Sequence, residues 1–208
     1  MLGAHAGRRG AFSLPSWKTV AAVVLGVIVG LVLTVVTAGL FMSSQVSVVN
    51  GWETVMNCGV PGNNFIRQAA CVAIFPMVNI PQQEVYWFTT LDSSHHALNG
   101  QNDYVLYFPP GELPPNNASW SLTMTTTTNK FVNNSIGRYS VGEFSGLVPN
   151  ANGSVTIYIQ NAEPTGNGSN WLPAPTGNFK LWLRVFLPGN AVLNGSYVVP
   201  PVVEVNRT

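Results

Sequence analysis

Hydrophobic residues follow two different patterns along the chain. From residue 19 to residue 42 the sequence is uncharged and consists mainly of Val, Leu, Ala and Gly. A helix over that run would be about 36 Å long, which exceeds the roughly 30 Å hydrocarbon core of a bilayer. Beyond residue 80, apolar and polar residues alternate in short runs, which is typical of β-strands. The pattern therefore predicts a single transmembrane helix at 19–42 and a mainly β domain within 43–208.

Turn residues separate the alternating runs and set the fold class. No helical period recurs between them, so the pattern favours a jelly-roll-like β-sandwich with one or two short helices over a parallel sheet. Pro200 and Pro201 would confine the last run to a sheet edge, because proline cannot donate to a strand ladder. The runs that predict strands are 85–88, 104–108, 120–125, 155–160, 179–188 and 197–205.

The run 179–188 is the longest of these and is apolar on both faces. Its odd-numbered positions from Leu181 to Leu187 form one face, while Trp182, Arg184 and Phe186 form the other. Such a strand is expected at the centre of a sheet. Arg184 would then need a carboxylate partner, since an unpaired buried guanidinium is costly. The candidates for that partner are Asp103, Glu143 and Glu163.

One short helix is predicted between the membrane segment and the strands. Asn63 or Asn64 would cap it, and it would run over 65–75 and end before Pro76. Its apolar face would cover part of the sheet. The residues assigned to that face are Phe65, Ala69, Val72 and Phe75.

Two cysteines, Cys58 and Cys71, flank the start of this helix and are the only ones in the chain. On the predicted topology both lie outside the cytoplasm, where disulfides form and persist, so we expect them to be joined. Two buried free thiols are the alternative. No metal site is expected at these cysteines, because two sulfurs lack companion ligands.

Positive charge before the apolar run sets the predicted orientation. Arg8, Arg9 and Lys18 precede it, and no basic cluster follows closely. The positive-inside rule therefore places residues 1–18 in the cytoplasm and residues 43–208 outside it, which makes the chain a single-pass protein of the cell membrane. The lipid bilayer is its predicted partner through this helix.

Two other readings of the apolar run stay open. Small residues at 36–38 are compatible with a cleaved signal peptide, although the run is longer than a usual signal sequence. Gly26 and Gly30 form a GxxxG pair that would allow close helix packing in a homo-oligomer.

Composition narrows the range of functions. Only 8% of the 208 residues are charged, and the formal net charge is +1. Nucleic-acid binding requires a clustered basic surface, so no nucleic-acid partner is expected. The polar surface must come from Asn, Ser, Thr and Gln, which would suit a protein that carries sugar or assembles with others. The predicted N-glycosylation sites are Asn117, Asn133, Asn152, Asn167, Asn194 and Asn206.

Few residues offer candidate chemistry. His95 and His96 lie in a predicted loop with Asp92, but adjacent residues on extended chain point in opposite directions, so neither a metal nor a catalytic residue is assigned. Sequence signatures of nucleophilic serine enzymes, phosphate-binding loops and zinc proteases are absent. Trp120 and Trp171 could form a sugar-binding platform, although the alternation around Trp120 favours the core. The residues assigned to binding are Arg138, Tyr139, Trp171 and Arg184.

An ordered set of short motifs extends over much of the chain. Together these motifs resemble the domain of unknown function 1214, in its short membrane-anchored form without the companion domain numbered 1254. The resemblance covers about residues 80–205 and implies a jelly-roll-like β-sandwich, but no established reaction and no cofactor. The motifs are Leu98-Asn99-Gly100, Trp120-Ser121-Leu122-Thr123, Arg138-Tyr139-Ser140, Asn170-Trp171-Leu172-Pro173-Ala174-Pro175 and Leu183-Arg184, with 104–108, 113–115, 133–137 and 150–155 among them.

Two functional hypotheses follow from the sequence. The favoured one is a non-catalytic module of the cell envelope that binds or assembles with another envelope protein or a glycan. The alternative is an envelope enzyme acting on a small or lipid-like substrate in the mouth of the sandwich. That enzyme would use Arg138, Tyr139, Arg184 and the His95–His96 loop.

Overall fold

A computed structural model describes residues 15–62, 64–74 and 79–205. Three helices and ten strands are formed within these ranges, together with a short 3-10 turn at Gly168–Asn170. In chain order they are α1 (Trp17–Ser43), β1 (Ser47–Val49), β2 (Trp52–Thr54), α2 (Phe65–Ile74), β3 (Glu84–Thr89), β4 (Asp103–Phe108), β5 (Asn116–Thr126), β6 (Ser140–Gly142), β7 (Val155–Gln160), β8 (Trp171–Pro173), β9 (Phe179–Pro188), α3 (Asn190–Leu193) and β10 (Val202–Val205).

The larger sheet is built around β9. Its six strands follow the order β1-β2-β3-β9-β5-β6, so β9 pairs with β3 on one side and with β5 on the other. Both pairings are antiparallel, and Leu183 lies opposite Trp87 on β3 and Leu122 on β5. The prediction of a central strand is confirmed.

The two faces of β9 are buried to different degrees. Its odd-numbered residues from Phe179 to Val185 are fully buried, whereas Lys180, Arg184 and Phe186 are only half-buried. Leu187 was assigned to the buried face, and that assignment is wrong, because its side chain is 48% exposed. Its φ of 45° places it in the left-handed region, which interrupts the alternation of side chains before the strand ends.

The smaller sheet has four strands in the order β10-β4-β7-β8. Its pairs are antiparallel except β7 with β8, which is parallel. The strand β10 begins directly after Pro200 and Pro201 and lies at the sheet edge, as predicted, although it is shorter than the run 197–205.

The two sheets pack on one shared hydrophobic core. The ring of Tyr104 on β4 lies 5.9 Å from that of Phe179 on β9, and the ring of Phe108 lies 5.3 Å from that of Trp120. Each fully buried side chain of this kind stabilises the fold by about 1.5–3 kcal/mol. The predicted mainly β fold with short helices is therefore confirmed as two packed sheets of six and four strands.

A second, smaller cluster covers the outer face of the larger sheet. A disulfide joins Cys58 to Cys71 at the centre of this cluster, with their Cα atoms 5.5 Å apart, so the predicted bond is confirmed. Both cysteines are buried. The bond fastens α2 over β3 and β9. The buried members of the cluster are Val55, Cys58, Cys71, Tyr86 and Trp182.

The predicted cap of α2 is present. The side-chain oxygen of Asn64 accepts the Arg67 backbone N–H at 3.0 Å, which satisfies one donor of the first helical turn. Asn63 and the predicted end at Phe75 and Pro76 lie outside the described residues.

The face of α2 assigned to the sheet is the wrong one. Phe65 is 75% exposed and Val72 is 68% exposed, whereas Cys71 is fully buried. Because the disulfide turns Cys71 toward the sheet, the apolar residues on the other side of the helix face away from it. The helix is therefore oriented with its disulfide-bonded cysteine, rather than its larger apolar residues, against the sheet.

The helix α1 begins at a serine cap, where Ser16 Oγ accepts the Thr19 backbone N–H at 3.3 Å. It is long and apolar enough to cross a membrane over residues Trp17–Phe41. Its most hydrophobic window is not covered by any part of the domain. Only its end touches the domain, where Ala38 packs against the disulfide cluster.

Candidate binding surface

Arg138 fastens two loops together. Its Nη1 donates to the carbonyl oxygens of Gly168, at 2.5 Å, and Trp171, at 2.9 Å. Asn134 holds the Arg138 backbone by accepting its N–H at 2.9 Å and donating to its carbonyl at 2.8 Å. The guanidinium thereby joins the loop before β6 to the start of β8. Arg138 therefore has a structural role, which is to hold these two segments together by hydrogen bonds.

Neither tryptophan offers an open ring for a ligand. Trp171 is buried, and its Nε1 donates to the Gln160 carbonyl at 2.9 Å. Trp120 is also buried and belongs to the main hydrophobic core, as the alternation around it predicted, whereas Trp171 was assigned to binding and its ring is not open to a ligand. Tyr139 is 37% exposed, and its ring lies 5.3 Å from that of Phe131.

Arg184 has an acidic neighbour that the sequence reasoning missed. Its Nε lies 3.7 Å from Glu84 Oε1, whereas Asp103, Glu143 and Glu163 were the predicted partners. The register explains the pairing: Arg184 is opposite Tyr86, so Glu84, two residues earlier on β3, lies diagonally across the same face. The predicted set of partners is wrong. The signal that could have identified Glu84 was the pairing of β3 with β9.

Glu84 is deeply buried, and only one of its two carboxylate oxygens is hydrogen-bonded among the described residues. The side-chain nitrogen of Asn79 donates to Glu84 Oε2, while Arg184 approaches the other oxygen. The neighbouring Tyr86 reflects this environment: burial raises the pKa of its phenol to about 12, with a further rise from Glu84 and an opposing effect of Arg184. The outer face of β3 and β9 therefore carries an oppositely charged pair beside buried aromatic rings, with Arg184 still partly exposed.

The candidate residues do not converge on one site. Arg138 lies beside β8, and the loop of His95 and His96 is tied to β10, where Ser93 N–H donates to the Val202 carbonyl at 2.7 Å. Those two strands form opposite edges of the four-stranded sheet. Arg184 lies on the outer face of the other sheet. Hence the group of residues that the enzyme hypothesis requires is divided among three places.

A concave surface lies elsewhere, on the outer face of the four-stranded sheet. It is a groove of about 690 Å³, within the roughly 300–1,000 Å³ typical of ligand sites. None of the four predicted binding residues lines it. Its floor comes from the outward positions of β4, β7 and β10, and the loop after β7 forms its wall. The lining includes Asp103, Tyr158, Gln160, Asn161, Glu163 and Asn167.

The chemistry of this groove is acidic and polar. Asp103 and Glu163 supply carboxylates, and none of the described residues that line the groove is a lysine, arginine or histidine. The loop wall is well fixed, because Asn161 Nδ2 donates to the Ala174 carbonyl at 2.9 Å and Gln160 Nε2 donates to the Ala162 carbonyl at 2.9 Å. Carboxylates in a groove disfavour anions and favour cations, and the amide and hydroxyl groups beside them are able to hydrogen-bond a polyhydroxylated ligand.

The described sequon asparagines are all on the surface. Asn117, Asn133, Asn152, Asn167 and Asn194 are exposed, and Asn206 lies outside the described residues. In two of them the side chain also shapes a turn. The Asn152 side-chain oxygen accepts the Ser154 N–H at 3.1 Å, and that of Asn194 accepts the Ser196 N–H at 3.0 Å.

A family model now supplies the broader context for this fold. The model described as "Protein of unknown function (DUF1214)" matches residues 83–190. The chain belongs to this family. The matched region of this DUF1214 chain contains the Arg138 clamp and the central strand β9, and it includes most of the groove.

Among solved structures, the DUF1214 chain is similar to the VPA0106 protein from Vibrio parahaemolyticus. The two are 20% identical with a TM-score of 0.63, and the alignment covers 93% of this chain and 47% of that one. An uncharacterized protein from Burkholderia cenocepacia is 17% identical, with a TM-score of 0.47 and coverage of 70% and 34%. The DUF1214 chain thus spans about half the length of the Vibrio protein, and that likeness shows the fold alone. No curated protein matches the chain.

Proposed function

We propose that this DUF1214 chain is a membrane-anchored, extracytoplasmic binding module without catalytic activity of its own. In this proposal α1 crosses the membrane, and the two-sheet domain lies outside the cytoplasm. Its groove binds a glycan or part of another envelope protein. The proposal extends to a possible homo-oligomer through α1, whose Gly26 and Gly30 are both open to close approach.

The proposed membrane anchoring is supported by an apolar helix followed by a disulfide-bonded domain. The apolar helix α1 is left uncovered by the domain, and a disulfide follows it at Cys58 and Cys71. An uncovered apolar helix of this length is stable in lipid. Disulfides persist in oxidising compartments, which lie on the far side of the cytoplasmic membrane.

The outward face of α2 adds support. Phe65, Ile66 and Val72 are exposed on a helix that packs beside α1. Single exposed apolar residues are common, but three on one short helix next to a membrane span would suit the boundary between lipid and water.

Glycosylation mapping would test this topology. Translation of the full chain with endoplasmic-reticulum microsomes should give a product whose mobility shifts after endoglycosidase treatment, because the exposed sequons would enter the lumen. A variant with Asn152, Asn167 and Asn194 all changed to Gln should lose the part of the shift that those three sites cause. A domain that stays unmodified and is degraded by protease added outside the microsomes would contradict the proposed orientation.

The binding part of the proposal rests on the groove. Tyr158 presents a half-buried ring beside amide and carboxylate groups, and such an arrangement suits stacking and hydrogen bonding with a sugar. The separated positions of Arg138, Arg184 and His96 support a binding role over a catalytic one.

Changing Tyr158 to Ala should weaken glycan binding at least about tenfold, since aromatic anchors at the centre of a contact carry much of the binding energy. The measurement is a glycan array probed with the full chain in detergent. Tyr107→Ala is the matched control, because Tyr107 is exposed on the neighbouring strand but does not line the groove. Equal binding by the two variants, or turnover of a bound glycan, would overturn the proposal.

A further inference from the structure

The loop between β3 and β4 contains a buried carboxylate, one of whose oxygens lacks a hydrogen-bond partner among the described residues. Asp92 is buried, with only 1% of its surface exposed. Its Oδ1 accepts the backbone N–H groups of Ser94 and His96 at 2.8 and 2.9 Å. Its Oδ2 is also buried but has no hydrogen-bond partner among the described residues. A buried carboxylate oxygen in that condition is unfavourable unless a positive charge compensates for it.

Two further ligand groups surround this oxygen. His96 Nδ1 lies 3.8 Å from Asp92 Oδ2, which is too far for a hydrogen bond. A carboxylate oxygen of Glu204 completes a group whose ligand atoms all lie within 4.8 Å of one another. Two carboxylates and one imidazole leave a net negative charge, even when His96 is protonated. Among the described residues, no lysine or arginine forms a salt bridge with either acid.

We propose that Asp92, His96 and Glu204 form a binding site for a divalent transition-metal ion such as Zn²⁺. Imidazole and carboxylate are usual zinc ligands, at about 2.0–2.2 Å from the metal. Two atoms at that distance are separated by about 3.4 Å at a tetrahedral angle and by at most about 4.3 Å. The gap between His96 and Asp92 therefore has the size that an ion would fill. His96 and Glu204 are exposed, so their side chains are able to close the remaining distance.

The backbone holds the site in place before any ion binds. Asp92 N–H donates to the His96 carbonyl at 2.9 Å, which closes the loop, and Ser93 N–H donates to Val202 at the start of β10. Both segments that carry ligands are thus fastened together. His95 has a φ of 63°, so the chain turns there, and His95 is not part of the group. An ion at this site would link the loop to the edge strand and leave its outer coordination positions open to water.

Titration of the full chain in detergent with ZnCl₂ tests the proposal. The protein is first treated with a chelator, and isothermal calorimetry then measures stoichiometry and affinity. We expect one equivalent bound with micromolar affinity and a rise in Tm of several degrees, because binding to the folded state stabilises it. His96→Gln and Glu204→Gln should each weaken binding at least about tenfold and remove the rise in Tm.

His95→Gln is the matched control, and it should bind Zn²⁺ as the unchanged protein does. Both histidines are exposed, so neither substitution should disturb folding. Asp92→Asn is a second test, since asparagine keeps an oxygen for the Ser94 and His96 amides but removes the charge. Absence of binding by the unchanged protein would overturn the site. Binding that His96→Gln and Glu204→Gln leave intact would also do so, because the ion would then be held elsewhere.

Discussion

Changing Arg184 to Ala should lower the free energy of unfolding by about 2–4 kcal/mol, which would make it one of the most damaging single substitutions in the domain. The loss has two sources. The buried Glu84 would lose its cationic neighbour, and the shorter side chain would lose its packing on the outer face of β9. Because Arg184 retains 28% of its side-chain exposure, we place the loss below that of a fully buried pair.

Arg184→Met separates the two sources. Methionine fills much of the same volume, so this variant should be more stable than Arg184→Ala while still leaving Glu84 without its partner. Combining Arg184→Met with Glu84→Gln should recover most of the remaining loss, because the buried charge is then removed as well. Chemical denaturation of the unchanged protein, Arg184→Met, Glu84→Gln and the double variant measures the coupling between the two positions.

Lys180→Met provides the control on the same face of β9. Its Nζ lies 5.3 Å from the ring centres of Phe88 and Trp182 and donates to the exposed Asn129, so its loss should cost far less than that of Arg184. If Arg184→Ala unfolds like the unchanged protein but loses binding of a ligand, Arg184 is a binding residue rather than a structural one.

Patterns of apolar and polar residues, which depend only on local geometry, predicted six of the ten strands that the structure describes. The strands β1, β2, β6 and β8 were not predicted, and each has only three residues, too few to show a pattern. In β7, for example, Val155, Ile157 and Ile159 lie on the buried face and the residues between them lie on the outward face. This assignment does not depend on which strand pairs with β7. In β9 it was the apolar character of both faces, rather than alternation, that identified its central place. Alternation in β7 also made Tyr158 and Gln160 outward residues, which is where the groove was found. Sequence alone did not show that β10 and the loop after β7 would border them.

Pairing between distant segments accounts for the failed predictions. Glu84 lies beside Arg184 because of the register in which β3 pairs with β9. The sequence of neither strand predicts that register. The orientation of α2 likewise places Cys71 beside Cys58, which lies outside the helix. Asp92 and His96 could be seen in one loop, but the approach of Glu204 required the position of β10. Local patterns contain no information of this kind.

The asparagine-glycine-serine sequences also serve folding. At Asn152 and Asn194 the side-chain oxygen caps a turn whose following glycine has a positive φ, at Gly153 and Gly195. Asparagine followed by glycine suits such turns independently of any sugar. These two sequons therefore have a structural role, and their use as glycosylation sites is a separate proposal.

Replacing both Cys58 and Cys71 by Ala should lower the free energy of unfolding by about 3 kcal/mol. The bond closes a loop with a sequence separation of 13, and loop-closure entropy predicts a loss of that size. The effect should centre on α2, because the bond is what holds Cys71 against the outer face of the larger sheet.

Chemical denaturation of the full chain in detergent, with and without a thiol reductant, measures this loss. Reductant should bring the unchanged protein to the stability of the double variant and leave the variant itself unaffected, which excludes a general effect of the reductant. Alkylation under non-reducing conditions gives an independent check, because a bonded pair takes no label until it is reduced. Full labelling of both thiols in protein taken directly from its membrane would contradict the bond and would also remove the strongest support for an oxidising compartment. If the bond is present but its removal leaves stability unchanged, α2 is instead held by its packing beside α1, and the disulfide reports the compartment without stabilising the fold.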